Sequence, residues 1–281
     1  MRVIHTIKEI REYLRDNANT GHISLVPTMG ALHDGHLQLV RKAKKESDFV
    51  IATIFVNPAQ FNNPQDLEKY PVQTDQDLEK LRQNACDMVF MPQREELYPR
   101  EPSLRIDFGT LETALEGEFR PGHFAGVGLI ISKLFNIIQP DHAFFGQKDI
   151  QQFFVIKKLT EELNFQVQLH MVPTVREVSG LAMSSRNLRL SPAEQEEAAL
   201  IYRCLIEARK ALLQQVSIEE VKQTLSLQFS RSQHLDLEYF EIVDTSNFLP
   251  LSSIQSPDQT ALCIAAVINE VRLIDNLPLF D

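Results

Sequence analysis

The sequence predicts an α/β protein: a doubly wound, mainly parallel Rossmann-like sheet followed by a smaller C-terminal α+β domain. Three observations lead there. Between residues 23 and 172, short apolar runs rich in β-branched residues alternate with stretches of helical spacing, the pattern of βαβ units with right-handed crossovers. One run, FVIATIFV at 49–56, is almost continuously apolar, which suits a parallel strand covered on both faces. Beyond Pro173 the alternation stops, and strand patterns at 238–243 and 261–268 follow each other with no helical pattern between them. A first domain over residues 1–175 and a second over 176–281 are expected, with the boundary inside 173–191.

Each element has a local reason. Ile7, Ile10 and Leu14 are spaced for one helix face. The run ISLV at 23–26 is a strand ended by Pro27 and Gly30, and Leu37, Leu39 and Val40 then begin a helical stripe whose solvated face carries Arg41, Lys42, Lys44 and Lys45. The strand at 49–56 stops at Asn57-Pro58. After it, residues 57–71 carry three prolines and three asparagines, more than a connecting turn needs, so a working loop is expected at that strand's C-terminal end. Thr74 with Asp77, ahead of Leu78 and Leu81, reads as a capped helix, and 88–91 as a short buried strand. FRPGHFAGVG at 119–128 is a loop entering a helix with an apolar stripe of Leu129, Ile130, Leu134 and Ile137. A strand at 142–146, a helix at 149–163 and a strand at 166–172 complete the first domain. In the second, Ser191-Pro192-Ala193-Glu194 sets an N-cap, a first-turn proline and a capping-box glutamate for a helix to about residue 213, and Ser217 with Glu220 repeats the box.

Composition narrows the function. The 281 residues are 43% hydrophobic and 23% charged, an ordinary globular balance with material for a sizeable core. The net charge, 28 − 38 = −10, argues against a nucleic-acid partner held through phosphates, although a local cluster of Lys, Arg and His can still take a small anionic substrate. Cys86, Cys204 and Cys263 are odd in number and far apart, fitting neither a disulfide framework nor a metal knuckle, so they are expected to be buried residues in a reducing compartment. Arg2, Lys8, Glu9 and Arg11 interrupt the N-terminal apolar residues, and no run reaches 18 uncharged apolar residues. A cytoplasmic protein with no membrane span is expected.

The chemistry gathers at turns. His33 and His36 fall at the start of the helix after the first strand, with Gly35 between them, where backbone N–H groups and the positive end of the helix dipole favour phosphate. Two other readings stay open: a polar surface pair, or a cation held by both imidazoles with Asp34. Against the metal, the Glu of an H-E-x-x-H motif is missing and the cysteines lie elsewhere. Met183-Ser184-Ser185-Arg186 unites two hydroxyls and a guanidinium that can contact several oxygens of a polyphosphate, and Lys148, at a strand-to-helix turn, can hold a phosphate as a point charge. Gln60 and Gln152 can hydrogen-bond a polar substrate. Each of these also has an ordinary reading as a loop or surface residue, as do Arg120 and His123.

Taken together and in order, PTMGALHDGH (27–36), FVNPAQF (55–61), DLEKYP (66–71), RPGHFAGV (120–127), KLFNIIQPDHAFFGQKDIQQ (133–152) and PTVRE with GLAMSSRN (173–187) resemble the pantothenate synthetase, or pantoate–β-alanine ligase, family of the class I synthetase-like nucleotidylyltransferases. Gln147 stands where the family has Glu, and Met183 where Leu is common. The resemblance implies ATP-dependent joining of (R)-pantoate to β-alanine through a pantoyl adenylate, with Mg²⁺ bound to ATP, in a homodimer whose smaller domain closes over the site. It implies that His33 and His36 line the triphosphate site, with His36 as proton donor to the departing pyrophosphate. Lys148, Ser184, Ser185 and Arg186 would clamp phosphates, and Met29, Gly30, Gly146, Gln147, Asp149, Val175 and Met183 would border the nucleotide. Gln60 and Gln152 would hold pantoate, Gln60 also helping to place β-alanine, with Asn57, Arg120 and His123 as further candidates. A nucleotidylyltransferase with another acceptor shares the H-x-G-H turn but leaves FVNPAQF and the two glutamines unexplained. A non-catalytic nucleotide-binding module leaves His33, His36, Lys148 and Arg186 without a task.

Overall fold

The apolar runs of the first half pair side by side. β1 (Arg2–Ile4), β2 (Ile23–Val26), β3 (Phe49–Thr53), β4 (Met88–Phe90), β5 (His142–Gly146) and β6 (Gln168–Val172) form one sheet, ordered β1-β4-β3-β2-β5-β6 with parallel pairings throughout. This computed structural model describes residues 1–17 and 21–280. They divide into two compact units, Met1–Gly146 with Gln152–Pro173, and Gln147–Gln151 with Thr174–Asp281. Among the described residues no helix is long and apolar enough to cross a membrane.

In the first unit, Leu25, Val50, Ile51, Ala52, Val89 and Phe90 are wholly buried, because helices flank a sheet that has no solvated face at its centre. The helix Asp34–Glu46 turns Leu37, Leu39, Val40 and Ala43 inward and packs on β2, β3 and β5. Each large aliphatic side chain so buried contributes about 1.5–3 kcal/mol. Strand order reverses at β2: β3 and β4 lie to one side of it, β5 and β6 to the other. The C-terminal ends of β2 and β5 therefore bound a topological switch point, where open parallel sheets receive ligands.

Several elements differ from expectation. β3 ends at Thr53 rather than residue 56, because Thr28 captures it there: the Thr28 N–H donates to Thr53 Oγ1 at 3.2 Å and its hydroxyl donates to the Thr53 carbonyl at 2.6 Å. The helix Thr74–Gln83 starts from Gln73 with no side-chain cap, so Thr74 and Asp77 form no capping pair. The edge strand β1 carries no sequence signal of its own.

The second unit holds an antiparallel sheet of β7 (Leu235–Asp244), β8 (Thr260–Ile268) and β9 (Val271–Pro278), ordered β7-β8-β9. Helices Leu200–Leu213 and Ile218–Phe229 cover it, burying Ile201, Leu205, Leu212, Val221 and Leu225 against Ile242, Ile264 and Leu273. The capping boxes of Ser191 with Glu194 and Ser217 with Glu220 are both formed. The long helix expected after Ser191 breaks at Ala199 into Pro192–Ala198 and Leu200–Leu213. β9 goes unsignalled for two reasons. Its hairpin turns at Asn269-Glu270, both at positive φ (45° and 65°), where Asn-Gly is the usual signature. Its alternation is then interrupted by two buried polar residues, Asp275 and Asn276.

Candidate active site

The turn leaving β2 is held by bonds that no local pattern announces. Gly30 sits at φ +85° and Ala31 at φ 49°, a left-handed conformation that costs an L-residue about 1–2 kcal/mol. A Cβ on Gly30 would also approach Asp77 Oδ2 to 3.1 Å. Asp77, only 1% exposed, offsets the strain: its two carboxylate oxygens accept the backbone N–H groups of Ala31 and Leu32, each at 2.8 Å. One helical turn on, the Lys80 ammonium donates to the Leu32 carbonyl at 2.6 Å. Three successive peptide units are thus gripped from one helix face.

That grip delivers His33 to the N-cap of the helix Asp34–Glu46 and His36 to its first turn, beside the helix's outward-pointing N–H groups. The two rings lie 4.0 Å apart, and the His33 backbone N–H donates to His36 Nδ1 at 3.4 Å. With Nδ1 accepting, the neutral imidazole carries its proton on Nε2.

Met29 and Gln60 meet within this unit. Gln60 closes the short turn Pro58–Gln60 and is 8% exposed, not a surface residue; its Nε2 donates to Met29 Sδ at 3.1 Å and its Oε1 accepts from Asn57 Nδ2 at 3.0 Å. Asn57 Nδ2 also reaches the Gly126 carbonyl at 3.2 Å, and its Oδ1 accepts from the Tyr98 hydroxyl at 2.9 Å. Burial pushes the Tyr98 phenol up, so it stays a donor. His123 is not a surface histidine either: 5% exposed, its Nδ1 donates to the Gln60 carbonyl at 2.8 Å while Nε2 faces Arg120 Nη1 at 3.1 Å. Gly126 permits the approach of the helix His123–Ile138, since a Cβ there would lie 2.1 Å from the Ala59 carbonyl oxygen. Gly146 ends β5, and Gln152 lies half-buried on the helix Ile150–Glu162.

In the second unit, the turn Gln147–Asp149 and the turn Ser185–Arg189 both pack on β9. Lys148 is largely buried, with its ammonium 3.7 Å from the Asp149 carboxylate. Val175 and Met183 face each other across a small hairpin, the Met183 N–H donating to the Val175 carbonyl at 2.9 Å. Ser184 then caps the next turn, accepting the Arg186 N–H at 3.3 Å, and Ser185 is buried. Arg176, in the same hairpin, makes a two-pronged contact with Asp275 at 2.5 and 3.1 Å, with its guanidinium 3.6 Å from the Tyr202 ring centroid. Burial pushes the Asp275 carboxyl up, opposed by Arg176 and the Asn276 N–H.

The structure therefore joins Met29 to Gln60 and His33 to His36 in one unit, and sets Lys148, Val175, Met183, Ser184, Ser185 and Arg186 on β9-supported turns in the other. Sequence reasoning missed Asp77, Lys80, Tyr98, Asp275 and Asn276. For Asp77 and Lys80 there was no local signal, since the backbone they hold lies more than forty residues earlier in the chain. For the last pair the signal was two polar residues inside the otherwise apolar run VRLIDNLP.

A parallel sheet with a glycine turn and paired imidazoles at its switch-point helix defines a nucleotide-handling α/β protein. Comparison with known proteins narrows the class. The family model described as pantoate-beta-alanine ligase matches residues 2–278. A curated pantothenate synthetase of Cytophaga hutchinsonii is 44% identical over 276 residues, covering 98% of both chains. The crystal structure of pantothenate synthetase from Thermus thermophilus superposes with a TM-score of 0.93 at 38% identity over 100% of both chains. That of pantoate-beta-alanine ligase from Francisella tularensis, complexed with beta-gamma ATP and beta-alanine, gives 0.82 at 34% identity, covering 100% of this chain and 98% of that one. This chain belongs to the pantoate–β-alanine ligase family.

Proposed function

We propose that the chain condenses (R)-pantoate with β-alanine, using ATP and releasing AMP and diphosphate, through a pantoyl adenylate. The observation that carries this reading is the bond from Gln60 to Met29, which ties a buried amide suited to a polar acid to the turn that presents His33 and His36.

In the first step a pantoate carboxylate oxygen attacks the α-phosphorus of ATP and the bond to the β,γ-diphosphate breaks. Charge builds on the α-phosphate and the leaving group, where helix N-termini and positioned cations stabilise it. His33 and His36 would line the triphosphate, with His36, as the imidazolium formed when Nδ1 takes up a proton and releases the His33 N–H, giving its Nε2 proton to the departing diphosphate and returning to neutral imidazole. Lys148, Ser184, Ser185 and Arg186 would hold phosphate oxygens. Met29, Gly30, Gly146, Gln147, Asp149 and Met183 would border the nucleotide, the backbone at Val175 reading the adenine edge. Gln60 and Gln152 would orient pantoate, with Asn57, Arg120 and His123 holding Gln60 in place. In the second step the β-alanine amine, placed with the help of Gln60, attacks the adenylate carbonyl and AMP leaves with the carboxylate oxygen.

Mg²⁺ would come with ATP. Among the described residues no three His, Cys, Asp or Glu side chains gather to hold an ion, and Mg²⁺ characteristically binds substrate phosphates while keeping several waters. Bound there, it would neutralise charge on the leaving diphosphate. A homodimer is proposed from family membership, and sedimentation tests it. A reducing cytoplasm is proposed from three buried cysteine thiols, with burial pushing Cys86 up to about 11 and Cys204 up to about 12. Exchange of labelled diphosphate into ATP tests the reading: it should require pantoate. Exchange supported equally by nicotinate mononucleotide would refute it.

A further inference from the structure

We propose that Asn276 is a positioning residue of the adenylation step, holding Lys148 where it meets phosphate; the inference rests on the role given to Lys148 above. Asn276 lies on β9 and is only 2% exposed. Its Nδ2 donates to two successive carbonyls, those of Gln147 at 2.9 Å and Lys148 at 2.8 Å. Backbone carbonyls only accept, so these contacts fix which end of the amide faces the turn. Gln147 Nε2 lies 3.4 Å from Asn276 Oδ1, a weaker return contact from the same turn.

The strand behind this amide is paired and buried. Asn276 is opposite Cys263 in the β8–β9 ladder, and its own N–H donates to Asp275 Oδ1 at 2.8 Å. Asp275 in turn grips Arg176, whose hairpin partner Ala182 directly precedes Met183–Arg186. Adjacent residues of one strand thus anchor both turns assigned to phosphate. Packing alone does not call for this pair: buried polar side chains cost free energy unless fully bonded, and apolar residues fill such strand positions more cheaply. Lys148 adds a reason. Its ammonium is largely buried and lies 3.7 Å from the Asp149 carboxylate of the same turn, so a shift of that turn's backbone carries the ammonium with it, and an error of about 1 Å costs about 100-fold in rate.

The test is a double-mutant cycle between Asn276→Ala and Lys148→Ala, read on pantoate-dependent diphosphate exchange and on the Kd for ATP, so that a vanishing turnover leaves a readout. Asn276→Ala alone is expected to slow exchange about 10- to 100-fold and leave the KM for β-alanine unchanged. In the Lys148→Ala background the same change should cost less than about threefold in either measure. Asn276→Asp, equal in shape but without the two N–H donors, should behave like the alanine variant. Equal losses from Asn276→Ala with and without Lys148, or no loss at all, overturn the positioning role while leaving that of Lys148 intact. Unimpaired Lys148→Ala removes both. If neither Asn276 variant folds, the residue is structural and the proposal fails.

Discussion

The carboxylate of Asp77 accepts the backbone N–H of Ala31 at 2.8 Å, holding a left-handed alanine in the turn that leads to the paired histidines. The same carboxylate takes the next N–H, that of Leu32, so one buried side chain satisfies two buried donors. Asp77→Ala should lower stability by about 2–4 kcal/mol, since hydrogen bonds to charged groups are worth more than neutral ones and two N–H groups lose their acceptor. Diphosphate exchange should fall about 10- to 100-fold as the turn loosens. Urea unfolding and the exchange assay check both; a variant of native stability and rate would show that the turn holds itself.

His36 is assigned the proton given to the leaving diphosphate. His36→Ala should cut adenylation by about 10²–10⁴-fold, the usual contribution of general acid catalysis, with the thermal midpoint little changed. Rapid-quench measurement of AMP formation provides the check. A loss confined to the KM for ATP would give His36 a binding role instead.

Gly126 lies so close to the Ala59 carbonyl that a Cβ would stand 2.1 Å from its oxygen. Gly126→Ala should push the turn Pro58–Gln60 off the helix, costing about 1–3 kcal/mol by overpacking. Because Gln60 rides on that turn, the KM for pantoate should rise while that for ATP changes little. Steady-state kinetics with each substrate varied in turn will show whether the two separate.

His170 stacks on Phe144 with ring centroids 4.4 Å apart and lies 3.0 Å from His142. Burial, then the neighbouring His142, holds its folded-state value below the ordinary 6.5. The unfolded chain therefore binds a proton that the folded chain resists. Stability is fully present above about pH 6.5 and declines as the pH falls through that value towards the folded one. His170→Gln should lose less stability than the parent between about pH 7 and about pH 5, measured by urea midpoint. Identical pH profiles would contradict the assignment.

How much of this was legible in the sequence depends on how far apart the partners lie. The strands at β2 and β5 are apolar runs punctuated by nearby Pro or Gly, and both capping boxes span three residues, so local pattern sufficed. The turns to which the chemistry is assigned are runs of neighbouring residues, so they too stand out as motifs. What fixes those turns was not: Asp77 reaches back to Ala31 and Leu32, His123 to the Gln60 carbonyl, and Asn276 to Gln147 and Lys148. Each is a bond between distant segments, and the supporting side chains look like ordinary helix or strand polars until the chain folds. β9 was obscured because Asp275 and Asn276, both buried, break the alternation that marks a strand.

Pantoate carrying oxygen-18 in both carboxylate positions tests the adenylate route most directly. Turnover with ATP and β-alanine should deliver one labelled oxygen to the phosphate of AMP and leave the other in the amide carbonyl of pantothenate. Unlabelled AMP, or label in inorganic phosphate alongside ADP, would mean that pantoate is never joined to the α-phosphorus.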